Sequence, residues 1–135
     1  MKIMGLDFGT ARIGIALSDL LGFLASPLTT LKRTNLESDL VFLDNIIKQN
    51  NVSVVVIGYP YEMSGNKGKT VLLCEEFAQK LKDFSKVEIV FVDERLSSVE
   101  ADEILKRTIK DWKKRKELLD QVSASIILQT YLDSK

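Results

Sequence analysis

The protein has 135 residues, 45% of them hydrophobic and 28% charged, which is typical of one globular domain over residues 1–135. Its 19 basic and 19 acidic residues give a formal net charge of +0, so binding to nucleic acid would have to depend on a local basic patch. There is no histidine, which excludes serine–histidine–aspartate triads, histidine zinc sites and histidine general bases. The single cysteine cannot form an internal disulfide, and no apolar run approaches the roughly 20 residues of a membrane helix. We therefore expect a cytoplasmic protein without a membrane partner.

The first third of the chain predicts three short β-strands. Residues 2–8 and 12–18 are mostly apolar runs on either side of the tight connection Gly9-Thr10-Ala11, which favours a hairpin. Residues 22–31 are interpreted as the third strand, in which Pro27 indicates an edge position or a bulge. The chain is therefore expected to open with three consecutive strands.

The rest of the chain predicts helices that alternate with strands. Thr34-Asn35-Leu36-Glu37 and Ser97-Ser98-Val99-Glu100 have the form of capping boxes, each of which opens a helix. Residues 52–58 and 87–92 are mostly apolar runs, as expected for buried parallel strands. A second helix is predicted to end near residue 84, and a last helix to begin near Leu118. We expect an α/β fold with a mixed sheet of about five strands, the first three antiparallel, flanked by helices on both faces.

Four acidic residues are candidates for chemistry. Asp7 lies in an otherwise apolar strand, where a carboxylate is costly to bury unless it is paired, bound to metal or capping the following turn. Asp93 and Glu94 follow a buried strand, and only one of them should face a site above the sheet because adjacent strand residues point to opposite faces. Asp120 stands at the start of the predicted last helix, where an acid also complements the helix dipole. Each of these acids, taken alone, is thus also compatible with a purely structural role.

Taken together, these carboxylates suit a divalent metal site. Mg²⁺ and Mn²⁺ are hard ions that prefer oxygen ligands, so three or four convergent carboxylates suffice to bind them. Two such ions can support hydrolysis of a phosphodiester bond without any histidine. The predicted cofactor is therefore Mg²⁺ or Mn²⁺, as one or two ions, and the residues alone leave open whether Asp93 or Glu94 is a ligand.

One local segment has the composition of a nucleic-acid contact. Residues 106–116 contain seven basic residues, one acid and the only tryptophan, Trp112. Basic side chains contact phosphates and an aromatic ring can stack on an unpaired base, although a solvated linker with a packed tryptophan has the same composition. The predicted nucleic-acid-binding residues are Arg12, Arg95, Lys106, Arg107, Lys110, Lys113, Lys114, Arg115 and Lys116.

Motifs spread over nearly the whole chain resemble those of the YqgF family. The most specific pair joins Asp7-Phe8-Gly9-Thr10, near the start, to Asp93-Glu94-Arg95-Leu96-Ser97, which follows a strand. Proteins of this family are described as Holliday junction resolvases and as nucleases that mature the 5′ end of pre-16S ribosomal RNA. The resemblance implies a ribonuclease-H-like fold and a metal-bound catalytic triad, which carries over onto Asp7, Glu94 and Asp120, with Asp93 as the substitute for Glu94.

The resemblance favours one function and leaves others open. Processing of pre-16S ribosomal RNA in ribosome biogenesis is favoured, with structured RNA or ribosomal precursor particles as partners and a monomer sufficing. Resolution of branched DNA is the alternative, and it favours a homodimer because two strands are cut. A non-catalytic module that binds RNA or the ribosome is a further alternative. The DFGT motif also resembles a phosphate motif of the actin and heat-shock ATPases, which need two such domains, whereas 135 residues supply one.

Overall fold

The computed structural model of the chain describes residues 1–59, 68–93, 97–108 and 111–135, without the side chains at positions 97–100, 102, 108, 112, 113, 116 and 117. Strands and helices follow one another along these ranges in the predicted order. The strands are β1 (Lys2–Phe8), β2 (Arg12–Ser18), β3 (Ala25–Lys32), β4 (Val52–Tyr59) and β5 (Glu88–Asp93), and the helices are α1 (Leu36–Gln49), α2 (Lys69–Ser85), α3 (Ser97–Thr108) and α4 (Trp112–Asp133).

The five strands form one mixed sheet in the order β3-β2-β1-β4-β5. Strands β1, β2 and β3 are antiparallel to one another, whereas β4 pairs in parallel with both β1 and β5. Parallel neighbours need crossover connections, and here helical segments provide them. The predicted α/β class, with a mixed sheet whose first three strands are antiparallel, is confirmed.

Alternate strand residues build two apolar cores, one on each face of the sheet. On one face, Leu6 and Ile57 pack with residues of α1 and α2, and we call this the α1/α2 face. On the other face, which we call the α4 face, Val56 packs with Ala124 and Leu128 of α4. Helices therefore cover both faces, as predicted, and the position of a residue in its strand decides which core it joins.

The third strand begins later than predicted. Residues 22–24 belong to the loop before β3, where Gly22 donates a backbone hydrogen bond to Asp19 and adopts a φ of 75°. Pro27 lies in an edge strand, beside a register shift between β2 and β3. Both positions tolerate the missing N–H of proline, so the prediction for Pro27 is confirmed.

Two helices also begin at residues other than those predicted. The side chain of Asn35, rather than Thr34, caps α1 by accepting a hydrogen bond from the Ser38 N–H at 2.9 Å. Helix α4 begins at Trp112 rather than near Leu118, because residues 113–117 are good helix formers without glycine or proline. Asp120 therefore lies in the third turn of α4, where a helix-dipole role no longer applies.

Candidate active site

Asp7 lies at the carboxyl end of β1, directed to the α4 face. It is the next-to-last residue of the strand, is half-buried, and is paired directly with Gly14 of β2. Residues that are directly opposite in an antiparallel pair share a face. Gly14 contacts α4, so Asp7 and α4 are on the same side of the sheet.

The backbone of α4 rests on the sheet at two glycines. A methyl group on Gly14 would overlap the backbone carbonyl of Asp120. Farther along the helix, a methyl group on Gly5 would lie 2.9 Å from the carbonyl oxygen of Ala124. Only glycine permits such an approach, because it has no side chain to separate helix from strand. Asp120 consequently lies over the row of sheet residues that contains Asp7.

Arg12 holds the carboxylate of Asp120. The Arg12 Nε donates to Asp120 Oδ2 at 2.6 Å, with 50% of the arginine side chain and 21% of the aspartate side chain exposed. This hydrogen bond, together with the negative charge of Asp120, raises the pKa of Arg12. Arg12 is thus observed in an ion pair with Asp120, while its contact with nucleic acid stays a prediction.

Asp93 lies on the opposite face from Asp7. The register of β4 and β5 aligns Ile57 with Phe91 and Tyr59 with Asp93, and aligned residues of parallel strands share a face. Ile57 belongs to the core on the α1/α2 face, and the ring of Tyr59 packs edge-on against Phe91 with centroids 4.8 Å apart. Asp93 is therefore separated by the sheet from the face that Asp7 and α4 share.

The structure places two of the predicted ligands, Asp7 and Asp120, on the same face of the sheet. Glu94, the third, and its neighbour Arg95 lie outside the described residues. Within the described ranges, no three cysteine, aspartate or glutamate side chains are grouped closely enough to hold a metal ion. Asp7 and Asp120 are thus observed on one face, and Glu94 stays a prediction.

The basic segment is divided between two helices that pack against each other. Lys106 and Arg107 are exposed in the last turn of α3. Lys114 is exposed near the start of α4, about 9 Å along the helix axis from Asp120 at roughly 1.5 Å per residue. Exposed cations therefore lie at the end of α3 and near the start of α4, the helix that carries Asp120. Of the other predicted contacts, Arg115 is half-buried, Lys113 and Lys116 lie in α4 with their side chains outside the description, and Lys110 lies outside the described residues.

Three residues near Asp120 were not predicted as part of the site from the sequence. Gly14 could have been found, because a glycine inside a strand indicates close approach of another backbone. Thr30 of β3 is paired with Gly14, and its buried Oγ1 has no hydrogen-bond partner among the described residues. Ser123 lies one helical turn after Asp120 and is fully buried, and its Oγ also lacks a partner in the described ranges. No sequence signal distinguishes these two hydroxyls from ordinary core and surface residues.

Residues 1–134 match the model of the RuvX family, which is described as Holliday junction resolvase. The chain belongs to the RuvX family. A "Putative pre-16S rRNA nuclease" of Carboxydothermus hydrogenoformans is 44% identical over 135 residues, which cover 100% of this chain and 98% of that protein. Proteins of the same name from a Picosynechococcus strain and from Bacillus cytotoxicus are 45% identical over 132 residues and 39% identical over 138 residues. Those alignments cover 98% and 100% of this chain, and 92% and 100% of the respective relatives.

Solved structures of two resolvases have the same fold as this RuvX chain. RuvC of Thermus thermophilus in complex with Holliday junction substrate has a TM-score of 0.63 at 13% identity, and the alignment covers 99% of this chain and 94% of RuvC. The fowlpox virus Holliday junction resolvase has a TM-score of 0.59 at 17% identity, with 100% of both chains covered. At such identities the likeness shows the fold alone, and the predicted ribonuclease-H-like sheet is confirmed.

Membership of the RuvX family also confirms the predicted class of enzyme, a nuclease that hydrolyses phosphodiester bonds. The resemblance to YqgF proteins seen in the DFGT and DERLS motifs is confirmed by the same match. Among the described helices, none combines the length and the apolar character needed to cross a membrane. The cytoplasmic location stays a prediction from the sequence.

Proposed function

We propose that this RuvX chain is a metal-dependent nuclease that processes the 5′ end of pre-16S ribosomal RNA during ribosome biogenesis. The substrate is inferred from the name shared by relatives that are 39% to 45% identical. The observation that supports a catalytic site in this chain is that Asp7 and Asp120 share the α4 face, near the carboxyl end of β1. Sites in open α/β sheets collect at the carboxyl ends of strands.

The residues at this position fit a divalent metal ion. Asp7 and Asp120 offer carboxylate oxygens, which are the ligands that Mg²⁺ and Mn²⁺ prefer. Asp7 is half-buried near the carboxyl end of β1, and its carboxylate is one proposed ligand of that ion. Glu94 is the proposed third ligand, because the family resemblance assigns the triad to it and Asp93 lies on the other face. The metal, when bound, supplies charge relief at the phosphoryl oxygens and a water of lowered pKa.

The chain's own residues orient the ligands and the substrate. Arg12 restricts rotation of the Asp120 carboxylate through the 2.6 Å hydrogen bond, as a positioning residue beside a metal ligand does. Because half of the Arg12 side chain is exposed, its remaining N–H groups can donate to a phosphodiester oxygen while Nε stays on Asp120. Gly14 allows the backbone of α4 at Asp120 to approach the sheet closely, next to the strand that carries Asp7.

The exposed cations at the junction of α3 and α4 are the proposed path of the RNA backbone. Lys106, Arg107 and Lys114 are exposed there, and each cation that neutralises a phosphate adds to binding by releasing counterions. The overall net charge of +0 makes this local surface the main electrostatic attraction. Arg95, Lys110, Lys113, Arg115 and Lys116 are proposed to extend it.

Resolution of Holliday junctions is a second candidate function, and the description of the family model favours it. The same carboxylates would then cut DNA, and two copies of the chain would act on one junction because two strands are cleaved. The two functions share the site and differ in the nucleic acid that fits against the α3–α4 junction. A direct comparison of substrates therefore separates them.

The deciding experiment measures cleavage of a labelled precursor RNA and a labelled four-way DNA junction, with Mn²⁺ or with chelator. We expect wild type to cut the RNA near its mature 5′ end, and Asp7→Asn to lose at least about a hundredfold in rate. RNA binding by Asp7→Asn should remain, because phosphate contacts by the basic residues are intact. Asp83→Asn is the matched control, since this exposed aspartate lies on α2, which packs on the opposite face.

Each other outcome changes the proposal in a defined way. Preferential cleavage of the DNA junction would select the resolvase function. Cleavage that survives both Asp7→Asn and chelator would remove Asp7 and the metal from the mechanism. RNA binding without cleavage by wild type would leave a non-catalytic RNA-binding module.

A further inference from the structure

Arg33, which directly follows β3, holds the turn between β1 and β2 by two hydrogen bonds. Its backbone N–H donates to the Ala11 carbonyl at 3.0 Å, and its side-chain Nη1 donates to the Gly9 carbonyl at 3.3 Å. Gly9 and Ala11 are the first and last residues of the connection between the two strands, which we call the β1–β2 turn. Both ends of this turn are therefore fixed to one residue.

The Arg33 side chain reaches the turn from the face of the sheet opposite Asp7. Its guanidinium lies 5.1 Å from the ring centroid of Phe8 and also 5.1 Å from that of Phe77. Both rings belong to the core on the α1/α2 face, whereas Asp7 is directed to the α4 face. Any effect of Arg33 on chemistry at the candidate site must therefore pass through the β1–β2 turn.

Arg33 is itself held from several sides. Its Nε donates to Asp39 Oδ2 at 3.1 Å, and 19% of the arginine side chain and 2% of the aspartate side chain are exposed. Asp39 lies in the first turn of α1 and also accepts from the Thr34 N–H at 3.2 Å. Because the guanidinium is planar, the bond from Nε and the contacts with Phe8 and Phe77 together fix the direction of Nη1. Arg33 is thus a rigid support for the turn.

The turn passes this support on to Arg12, the first residue of β2. A methyl group on Gly9 would overlap the backbone carbonyl oxygen of Arg12, so Gly9 and Arg12 lie against each other across the turn. Ala11, whose carbonyl is held by Arg33, immediately precedes Arg12. On the α4 face, Arg12 Nε donates to Asp120. A continuous series of contacts therefore runs from Arg33 to the Asp120 carboxylate.

The position of Arg12 depends on the turn more than that of Asp7 does. Asp7 is paired directly with Gly14, in a strand that lies between β2 and β4. The pairing of β1 with β2 extends only to Ile13, so Arg12 is paired with β3 alone, through Lys32. Strand β3 is an edge strand. The backbone of Arg12 is therefore held by the edge of the sheet on one side and by the turn on the other.

We propose that Arg33 is a positioning residue for phosphodiester cleavage, acting through the β1–β2 turn on Arg12 and thereby on the Asp120 carboxylate. The inference rests on the proposed nuclease function, in which Asp120 is a metal ligand. Removing a group that orients a metal ligand usually reduces metal affinity or activity by about tenfold to a hundredfold. Arg33 acts through one further residue, so the expected effect is at the lower end of this range.

Arg33→Lys tests the positioning role without leaving Asp39 beside an uncharged side chain. Lysine keeps the positive charge but replaces Nε and Nη1 by a single nitrogen, which loses the planar geometry of the two bonds. In steady-state cleavage of the labelled precursor RNA with Mn²⁺, kcat should fall about tenfold and KM should change less than about threefold.

Ile47→Val is the control for a purely structural effect. Ile47 is a buried residue of α1 in the same core, about two helical turns beyond Asp39, and its truncation destabilises the fold away from the β1–β2 turn. Its kcat should equal that of wild type at a temperature where circular dichroism shows both variants to be folded. An unchanged kcat in Arg33→Lys, or an equal loss in Ile47→Val, would overturn the proposal.

A double-mutant cycle tests the route through Arg12. In an Arg12→Ala background, Arg33→Lys should lower kcat by less than about threefold, because the link from the turn to Asp120 is already missing. A loss of about tenfold in both backgrounds would show that Arg33 acts independently of Arg12, and the proposed route would be wrong.

The Arg12 Nε–H gives a measurement that does not depend on cleavage. Its exchange with solvent, followed by NMR, is slowed by the hydrogen bond to Asp120, and the loss of the signal in Arg12→Lys assigns it. We expect exchange to be at least about threefold faster in Arg33→Lys and unchanged in Ile47→Val. A wild type that cleaves neither RNA nor DNA would overturn the nuclease function and with it the catalytic role of Arg33. Unchanged Nε–H exchange in Arg33→Lys would overturn the support of Arg12 by Arg33, whether or not the wild type cleaves.

Discussion

Gly14 of β2 and Asp120 of α4 are in backbone contact, and the space that a Gly14 side chain would need is filled by the Asp120 carbonyl. Because Gly14 is also paired directly with Asp7, one glycine links the strand that carries Asp7 to the helix that carries Asp120. The packing of α4 on the sheet and the geometry of the candidate site therefore depend on the same contact.

Gly14→Ala should damage both stability and activity. The added methyl group overlaps backbone atoms of α4, which cannot rotate away as a flexible side chain could. We expect the free energy of unfolding to fall by roughly 1–3 kcal/mol, the usual cost of overpacking. Cleavage should fall more than the loss of folded protein explains, because α4 carries Asp120. Urea denaturation and the RNA cleavage assay measure the two effects.

Gly22→Ala provides the comparison for that variant. Gly22 has a φ of 75°, and nothing lies within 4 Å of the position of an added methyl group. The substitution should cost about 1 kcal/mol through backbone strain alone, while cleavage by the folded protein is unchanged. Full activity in Gly14→Ala would contradict the link between this contact and the site.

The order of strands and helices could be predicted because each is encoded locally. Apolar runs indicated β1, β2, β4 and β5, and their order along the chain agrees with the structure. The two wrong boundaries, at the starts of β3 and α4, occur where the local composition resembles that of a different structure. Phe23 and Leu24 resemble strand residues but lie in an exposed loop, and the cations before Leu118 resemble a linker but continue α4.

Glu94→Gln and Asp93→Asn should behave differently. Glu94 is the proposed metal ligand, so Glu94→Gln should reduce cleavage at least about a hundredfold and weaken Mn²⁺ binding. Asp93 shares the face of Ile57 and Tyr59, so Asp93→Asn should retain most of the activity. Titration with Mn²⁺ and steady-state cleavage measure both. Inactivation by Asp93→Asn with a normal Glu94→Gln would reverse the assignment.

The choice between Asp93 and Glu94 could not be predicted from the sequence. Strand β5 has apolar residues on both faces, so alternation alone cannot decide which of the two acids faces Asp7. The register with β4 places Asp93 on the face opposite Asp7, and register is a tertiary property. The placement of Asp120 on the face of Asp7 depends in the same way on how α4 crosses Gly14, although the two acids are 113 positions apart in the sequence.

Arg12→Ala should affect catalysis more than stability. The Arg12–Asp120 ion pair is half-exposed on the arginine side, and pairs of this kind contribute about 0–1 kcal/mol to stability. Without the hydrogen bond the Asp120 carboxylate rotates more freely, so cleavage should fall by roughly tenfold to a hundredfold. Arg12→Lys keeps the charge without the planar donors and should recover only part of the rate. An unchanged rate in Arg12→Ala would remove its positioning role.

Asp44 of α1 should make the stability of the protein depend on pH below about 4. Its carboxylate accepts from Ser85 Oγ at 2.8 Å and pairs with Lys48 Nζ at 2.9 Å, and the bond to Lys48 contributes most to lowering the pKa of Asp44. Since the pKa is lower in the folded state, the stabilisation is present above the unfolded-state pKa and is lost as pH falls through the folded-state value.

Urea denaturation between about pH 7 and about pH 2 measures this contribution of Asp44. We expect Asp44→Asn to have a smaller free energy of unfolding than wild type at neutral pH, and a shallower decline in acid. Ser85→Ala removes one of the two hydrogen bonds to the carboxylate and should give an intermediate profile. An acid decline in Asp44→Asn as steep as that of wild type would assign the pH dependence to other carboxylates.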